Sequence, residues 1–200
     1  MNEYIVIIAL LAGLVSIQYW RGRRLNLGFI RAISNELEKT LNPLEHSYTW
    51  IGAYAGITAE YRIKNKNINS IDMSLTLLPR HSLLYFPVSL IIGRRDRIAL
   101  LIKMNNILKE RMEFKTGRNV KESENSKVLD KDIIVINNVK IHRWYSDKSL
   151  ADKYTQIFKK LEKPENVRHF TINHEENAFY AKLKITDGTP HLFLKEFMEI

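Results

Sequence analysis

Six histidines, His46, His81, His142, His169, His174 and His191, and a scatter of carboxylates are the side chains of this 200-residue sequence that could carry acid–base or metal chemistry. None of the histidines stands at metal-ligand spacing. His169 and His174 are five apart across an expected turn, and a metal site there would need further ligands that no nearby pattern supplies. Asp130 and Asp132, like Glu175 and Glu176, fall in polar stretches and read as solvated. No phosphate loop, GxGxxG turn, GxSxG elbow or HExxH helix is present. Cysteine is absent, which excludes a disulfide framework, a thiolate zinc site and a cysteine nucleophile. The sequence therefore calls for no catalytic residues, cofactor or metal, and an enzyme would require scattered residues to converge.

Charge is the next feature with chemical content. Lys and Arg number 31 against 22 Asp and Glu, a formal charge of +9. Arg62, Lys64, Arg80, Arg94, Arg95 and Arg97 are candidate contacts to phosphate, whether of lipid or of rRNA. Tyr61 and Tyr85 are not spaced as a stacking platform for bases. Ordinary solubilising charge explains the same residues, and no DNA contact is expected.

These residues have to be positioned by elements, and the first is an anchor. Residues 4–20, "YIVIIALLAGLVSIQYW", carry no charge. As a helix they reach roughly 25 Å, close to a ~30 Å hydrocarbon core once the flanks join in. Tyr4 lies at one end and Tyr19 and Trp20 at the other, as in an aromatic belt, and Arg21, Arg23 and Arg24 follow at once. A cleaved signal peptide is the rival reading, but the segment before the apolar run holds Glu3 and no Lys or Arg, with the positive cluster on the wrong side. The positive-inside rule then places the N-terminus outside and residues 25–200 in the cytoplasm, facing the anionic leaflet of the cell membrane. The expected organisation is an anchor with basic flank over 1–24, an amphipathic stalk helix over 25–43 and an α+β domain over 44–200.

In the stalk, Ile30, Ile33, Leu37 and Leu41 recur at helical spacing, and Pro43 ends the helix. "ITAEYRIK" and "IDMSLTLL" alternate with period two, as half-buried antiparallel strands do. "RIALLIKM" reads as another strand, and "IIVI" and "VKIHRWY" as a pair joined at Asn137–Asn138. Residues 115–132 are polar and charged, the expected mobile loop. Over 147–162, Leu150, Tyr154, Ile157, Phe158 and Leu161 form one helical stripe, with Ser146 or Asp147 as cap. "VRHFTI" and "AFYAKLKI" predict a hairpin, and Thr189–Pro190 opens a last helix. Strands and helices mix without a βαβ rhythm, which predicts an antiparallel sheet with helices on one face.

"RHSLLYFPVSLIIGRRDR", residues 80–97, admits three readings. Ten apolar or weakly polar residues, 83–92, are too few to span a bilayer. They could pack as a core helix capped by Ser82 and kinked near Pro87. Or they could leave Leu83, Leu84, Tyr85, Phe86, Leu90 and Ile91 partly uncovered as an interface, with arginines on phosphates at both ends. The apolar residues surround every direction of such a helix, so some face outward unless the stalk covers them.

The order of these features resembles calumin, the coiled-coil subunit of the PAT (protein associated with the translocon) complex. One span, a basic flank and a stalk precede "SIDMSLTLLPRHSLLYFPVSLIIGRRDRIALLIKM", then "ADKYTQIF" at 151–158 and "VRHFTI". The resemblance covers roughly residues 4–175 and is one of order and character. It implies a non-enzymatic accessory factor that assists membrane-protein insertion or assembly, with insertase or translocon subunits and membrane-protein clients as partners, and the ribosome nearby. The long acidic region before the span and the basic coiled coil after the domain are missing here, which puts ribosome contact in doubt and suits a prokaryotic, archaeal version. The alternative expectation is a membrane-anchored module that binds anionic lipid headgroups or scaffolds a membrane partner.

Overall fold

The computed structural model describes residues 3–52, 54–117, 120–123, 126–185 and 188–199. Its first element, α1, runs unbroken from Glu3 to Leu41. The expected anchor and stalk are thus one helix, with no interruption at 24–25. Its two halves differ in surroundings. Apolar residues from Tyr4 to Ile17 are exposed, and this part is long and apolar enough to cross a membrane. From Gly22 on, a stripe of Gly22, Asn26, Ile30, Ile33, Ser34, Leu37 and Leu41 is buried at helical spacing. The helix stops at Asn42, which takes a left-handed φ of 42° just before Pro43, a conformation that asparagine tolerates better than most residues.

Nine strands then build one antiparallel sheet: β1 (Glu45–Trp50), β2 (Gly56–Arg62), β3 (Ile68–Thr76), β4 (Arg97–Met104), β5 (Met112–Thr116), β6 (Asp130–Ile136), β7 (Val139–Tyr145), β8 (Val167–Asn173) and β9 (Ala178–Lys184). Their spatial order is β1-β2-β3-β4-β9-β8-β5-β7-β6. The last two strands in the chain therefore close the middle of the sheet. A short helix α2 (Tyr85–Ile91) joins β3 to β4. Helix α3 (Lys148–Lys160) and a single 3-10 turn (Pro164–Asn166) join β7 to β8, and α4 (Thr189–Met198) follows β9.

One face of the sheet is the core face. Ile57, Ala59 and Tyr61, then Ile71, Met73 and Leu75, then Ile98, Leu100 and Ile102 alternate into it from successive strands. Phe170, Phe179 and Phe114 continue it, and Tyr154, Ile157 and Phe158 of α3, Leu161 just after it, and Phe193, Leu194 and Phe197 of α4 cover it. Asp147 caps α3 by accepting the Ser149 N–H at 2.8 Å. Leu150, placed in the same stripe by its spacing, is only half-buried. Asn137 and Asn138 both take positive φ, 50° and 63°, the conformation of a two-residue hairpin turn. The final helix begins one residue off the expected cap: Gly188, at φ 73°, precedes Thr189, and Pro190 lies in the first turn.

Of residues 115–132, 118, 119, 124 and 125 lie outside the described residues. Lys115 and Thr116 belong to β5. Ser123 and Ser126 reach the Glu113 carboxylate and Glu122 accepts from Trp144 Nε1 at 3.0 Å, so this part of the expected mobile loop is tethered to the open face of the sheet.

Candidate functional site

The register brings the start of β2, the end of β3, the start of β4 and the end of β9 to one end of the sheet: Gly56 lies opposite Thr76, Thr76 opposite Arg97, and Arg97 opposite Lys184. Helix α1 crosses this end at residues 18–26. Asn26, fully buried, donates from Nδ2 to the carbonyls of Tyr54 at 2.8 Å and Leu78 at 2.9 Å. Its Oδ1 accepts from Arg80 Nη1 at 3.0 Å. Arg80 also forks onto Asp96, and the same carboxylate accepts the Leu78 N–H at 2.7 Å. One helical turn earlier, Gly22 touches the backbone of Arg80. A Cβ at position 22 would lie 2.1 Å from the Arg80 carbonyl oxygen, so only glycine permits the contact. A further turn earlier, Gln18 Nε2 donates to that same carbonyl at 2.7 Å, and the Tyr19 ring meets His81 edge-on. Hydrogen bonds from Gln18 and Asn26 and the close approach at Gly22 thus fix the β3–β4 connection against α1 just where its exposed apolar run ends.

That connection carries α2. Ser82 Oγ accepts the Tyr85 N–H at 3.1 Å, and Gly93 closes the helix with a left-handed φ of 74°. Pro87 falls in the first turn of α2, where a proline is best tolerated. The helix is shorter than 83–92: Leu84 is already in the helical region and the Phe86 N–H bonds back to the Ser82 carbonyl at 3.1 Å, so the proline interrupts the bonding at Leu83. Its burial also differs from a core helix. Leu84 is 78% and Ile91 85% exposed, and Leu83, Tyr85, Val88, Leu90 and Ile92 are exposed as well. Phe86 is half-buried, and only Ser89 within α2 is buried. The stalk does not cover this helix.

The tip of the β1–β2 hairpin adds to the same end, and sequence reasoning missed it. Trp50 and Ile51 are exposed there, Trp50 packs edge-on to Tyr54, and the Arg23 guanidinium lies 4.3 Å from the Tyr54 ring centroid and 5.6 Å from that of Trp20. Aromatic side chains from α1 and the hairpin therefore meet at this end of the sheet.

The candidate phosphate contacts divide. Arg62 and Lys64 lie at the opposite end of β2, and Arg62 pairs with Glu45 at 3.3 Å. Arg80 is saturated by Asp96 and Asn26. Arg94, Arg95 and Arg97 do converge, and they line an open cleft of about 790 Å³ with three residues not singled out beforehand: Arg168, Lys182 and Lys184. Pairing of β4 with β9 brings the two lysines there. Arg168 is the extra residue of a bulge, because Val167 faces Leu183 while His169 faces Lys182, and such a bulge re-aims a side chain.

On the open face, Glu113 is buried among His169 (2.7 Å), Lys115 (2.7 Å), Ser123 (2.6 Å) and Ser126. Burial alone would raise its pKa, but the hydrogen bonds from His169, Lys115, Ser123 and Ser126 outweigh it and hold the carboxyl well below the usual range. The carboxylate sits between the histidine and the serines, so no base contacts a serine nucleophile through it in the order that acyl-transfer chemistry requires. The cluster tethers Ser123 and Ser126 to the sheet. His174 instead meets the Leu108 carbonyl at 3.1 Å, apart from His169. Among the described residues, no three His, Asp or Glu side chains are placed to hold a metal ion.

Against known proteins, no family model matches this chain, and no curated protein matches it.

Proposed function

We propose that this chain is a membrane-tethered accessory factor that assists the insertion or assembly of membrane proteins. Residues 4–20 of α1 span the bilayer with the N-terminus outside, and the α+β domain sits in the cytoplasm with α2 and the 50–54 hairpin tip against the membrane surface. One observation carries this reading: an apolar helix exposed almost all round, α2, is fastened by Gln18, Gly22 and Asn26 to the point where the exposed apolar run of α1 ends. Exposed apolar surface of this kind marks a partner or membrane surface. From Glu3 to Gln18 the helix rises about 22 Å, most of a ~30 Å hydrocarbon core, so α2 joins α1 near the cytoplasmic end of the span.

In this arrangement α2 lies in the headgroup layer, and α1 and α2 form two apolar walls meeting at the cytoplasmic leaflet. Acyl chains line them at rest. The transmembrane segment of a client offers the same chemistry and takes their place during insertion. The calumin-like order of elements implies the same role, with insertase or translocon subunits as neighbours.

The test is a photo-crosslinking residue at position 84 or 91 in intact cells. Adducts with newly made membrane proteins or insertase subunits are expected at both positions. Leu84→Glu and Ile91→Glu, at sites this exposed, should leave the fold within about 0.5 kcal/mol of the parent while removing those adducts. Adducts to lipid alone, or unimpaired partner adducts in both glutamate variants, would overturn the client role.

A further inference from the structure

The cleft beside α2 has two unlike walls. Leu77 and Leu78, both largely buried, line an apolar one with Pro79 and with Ile92, the exposed residue that follows α2. Arg94, Arg95, Arg97, Arg168, Lys182 and Lys184 form the other. Among the described residues none of these six makes an ion pair, and neither do Arg21, Arg23 and Arg24 of the α1 flank, whereas Arg80 and Arg143 are paired with carboxylates. Six cations brought together by strand pairing and a bulge, without carboxylate partners, form a field that an anion relieves. We propose that this cleft binds the phosphate of an anionic phospholipid headgroup in the cytoplasmic leaflet, with the glycerol and the start of the acyl chains along the apolar wall.

Three features favour a lipid over nucleic acid. Among the described residues no aromatic side chain lines the cleft, and single-stranded nucleic acid is held by stacking as well as by charge. The apolar wall has no use for a polynucleotide. The cleft also shares Ile92 and Gly93 with the end of α2, at the level the domain turns toward the bilayer. The volume, about 790 Å³, lies within the usual range for small-molecule sites. Burial, helped by the charges of Arg168 and Arg95, holds the Lys184 ammonium below its ordinary pKa, and Glu165 offsets this only in part. A bound phosphate removes that stress. The proposal rests on the membrane-facing orientation described above.

The full chain, purified in an uncharged detergent, is titrated by calorimetry with dihexanoyl phosphatidylglycerol below its micelle concentration, with dihexanoyl phosphatidylcholine, with inorganic phosphate and with a short single-stranded RNA. One saturable site for phosphatidylglycerol is expected, with the other three binding about tenfold more weakly or worse. Arg168→Gln and Lys184→Gln should each weaken phosphatidylglycerol binding about five- to tenfold, and Arg62→Gln should not. Thermal melting checks that each variant is folded; Arg94→Gln and Arg95→Gln replace any variant that is not. RNA or inorganic phosphate binding as tightly as phosphatidylglycerol, equal binding of phosphatidylcholine, or unchanged binding in the cleft variants would overturn the proposal. A failed orientation shows separately, as water-exposed labels on α2 in a bilayer; the cleft titration does not read it.

Discussion

Truncating Phe158 to alanine is expected to destabilise the fold by about 3–5 kcal/mol. Phe158 is fully buried and stacks on Phe114 with ring centroids 5.3 Å apart. Around this pair, Phe170 and Phe179 stack on one another, and Tyr154 and Phe197 close over them. The cavity would open where strands β5 and β8 meet α3. For a chain of this size the loss corresponds to a fall in melting temperature of very roughly 6–20 °C, read on the full chain in detergent. A change below about 0.5 kcal/mol, the usual range at surface sites, would show that the α3 stripe faces outward.

The second large effect belongs to the joint. Replacing Arg80 by alanine leaves the Asp96 carboxylate, about one-sixth exposed, without its cation and Asn26 Oδ1 without a donor. Breaking a largely buried ion pair from one side costs about 3 kcal/mol or more. Arg80→Lys should recover only part of this, because a lysine is a point charge and cannot fork onto Asp96 while reaching Asn26. Arg62→Ala, at an exposed pair, should cost under about 1 kcal/mol. Melting of the three variants side by side checks the ranking, and Arg80→Ala as mild as Arg62→Ala would show that the network does not hold α2 to α1.

Much of the scaffold is written in local pattern. Period-two alternation placed Ile57, Ala59 and Tyr61, and Ile71, Met73 and Leu75, on the buried face, and helical periodicity placed Tyr154, Ile157, Phe158 and Leu161 there too. β1 escaped because all six of its residues are exposed and its short alternation of His46, Tyr48 and Trp50 with polar residues holds no aliphatic core residue, and β5 because it is only five residues long. The strand order was not legible, since β8 and β9 pair with partners far away in the chain. The same non-local pairing hid Arg168, Lys182 and Lys184, which join the Arg94–Arg97 cluster only when β9 docks on β4. α2 could not be assigned by periodicity: a helix apolar on all sides has the same pattern in a core as at an interface. The joint did leave a signal. Gln18, Gly22 and Asn26 extend the buried line of Ile30, Ile33 and Leu37 at helical spacing, and a polar residue and a glycine on such a line mark a close backbone approach rather than ordinary packing.

The native chain has no cysteine, so single cysteines at 62, 84 and 91 can each carry a fluorescent label in the full chain reconstituted in lipid vesicles. Quenchers attached to the acyl chains and quenchers dissolved in the buffer then report depth directly. Labels at 84 and 91 are predicted to be quenched from the lipid and shielded from the buffer, and the label at 62, at the far end of β2, to behave in the opposite way. Labels at 84 and 91 as open to the buffer as the one at 62 would contradict a domain that rests on the membrane through α2.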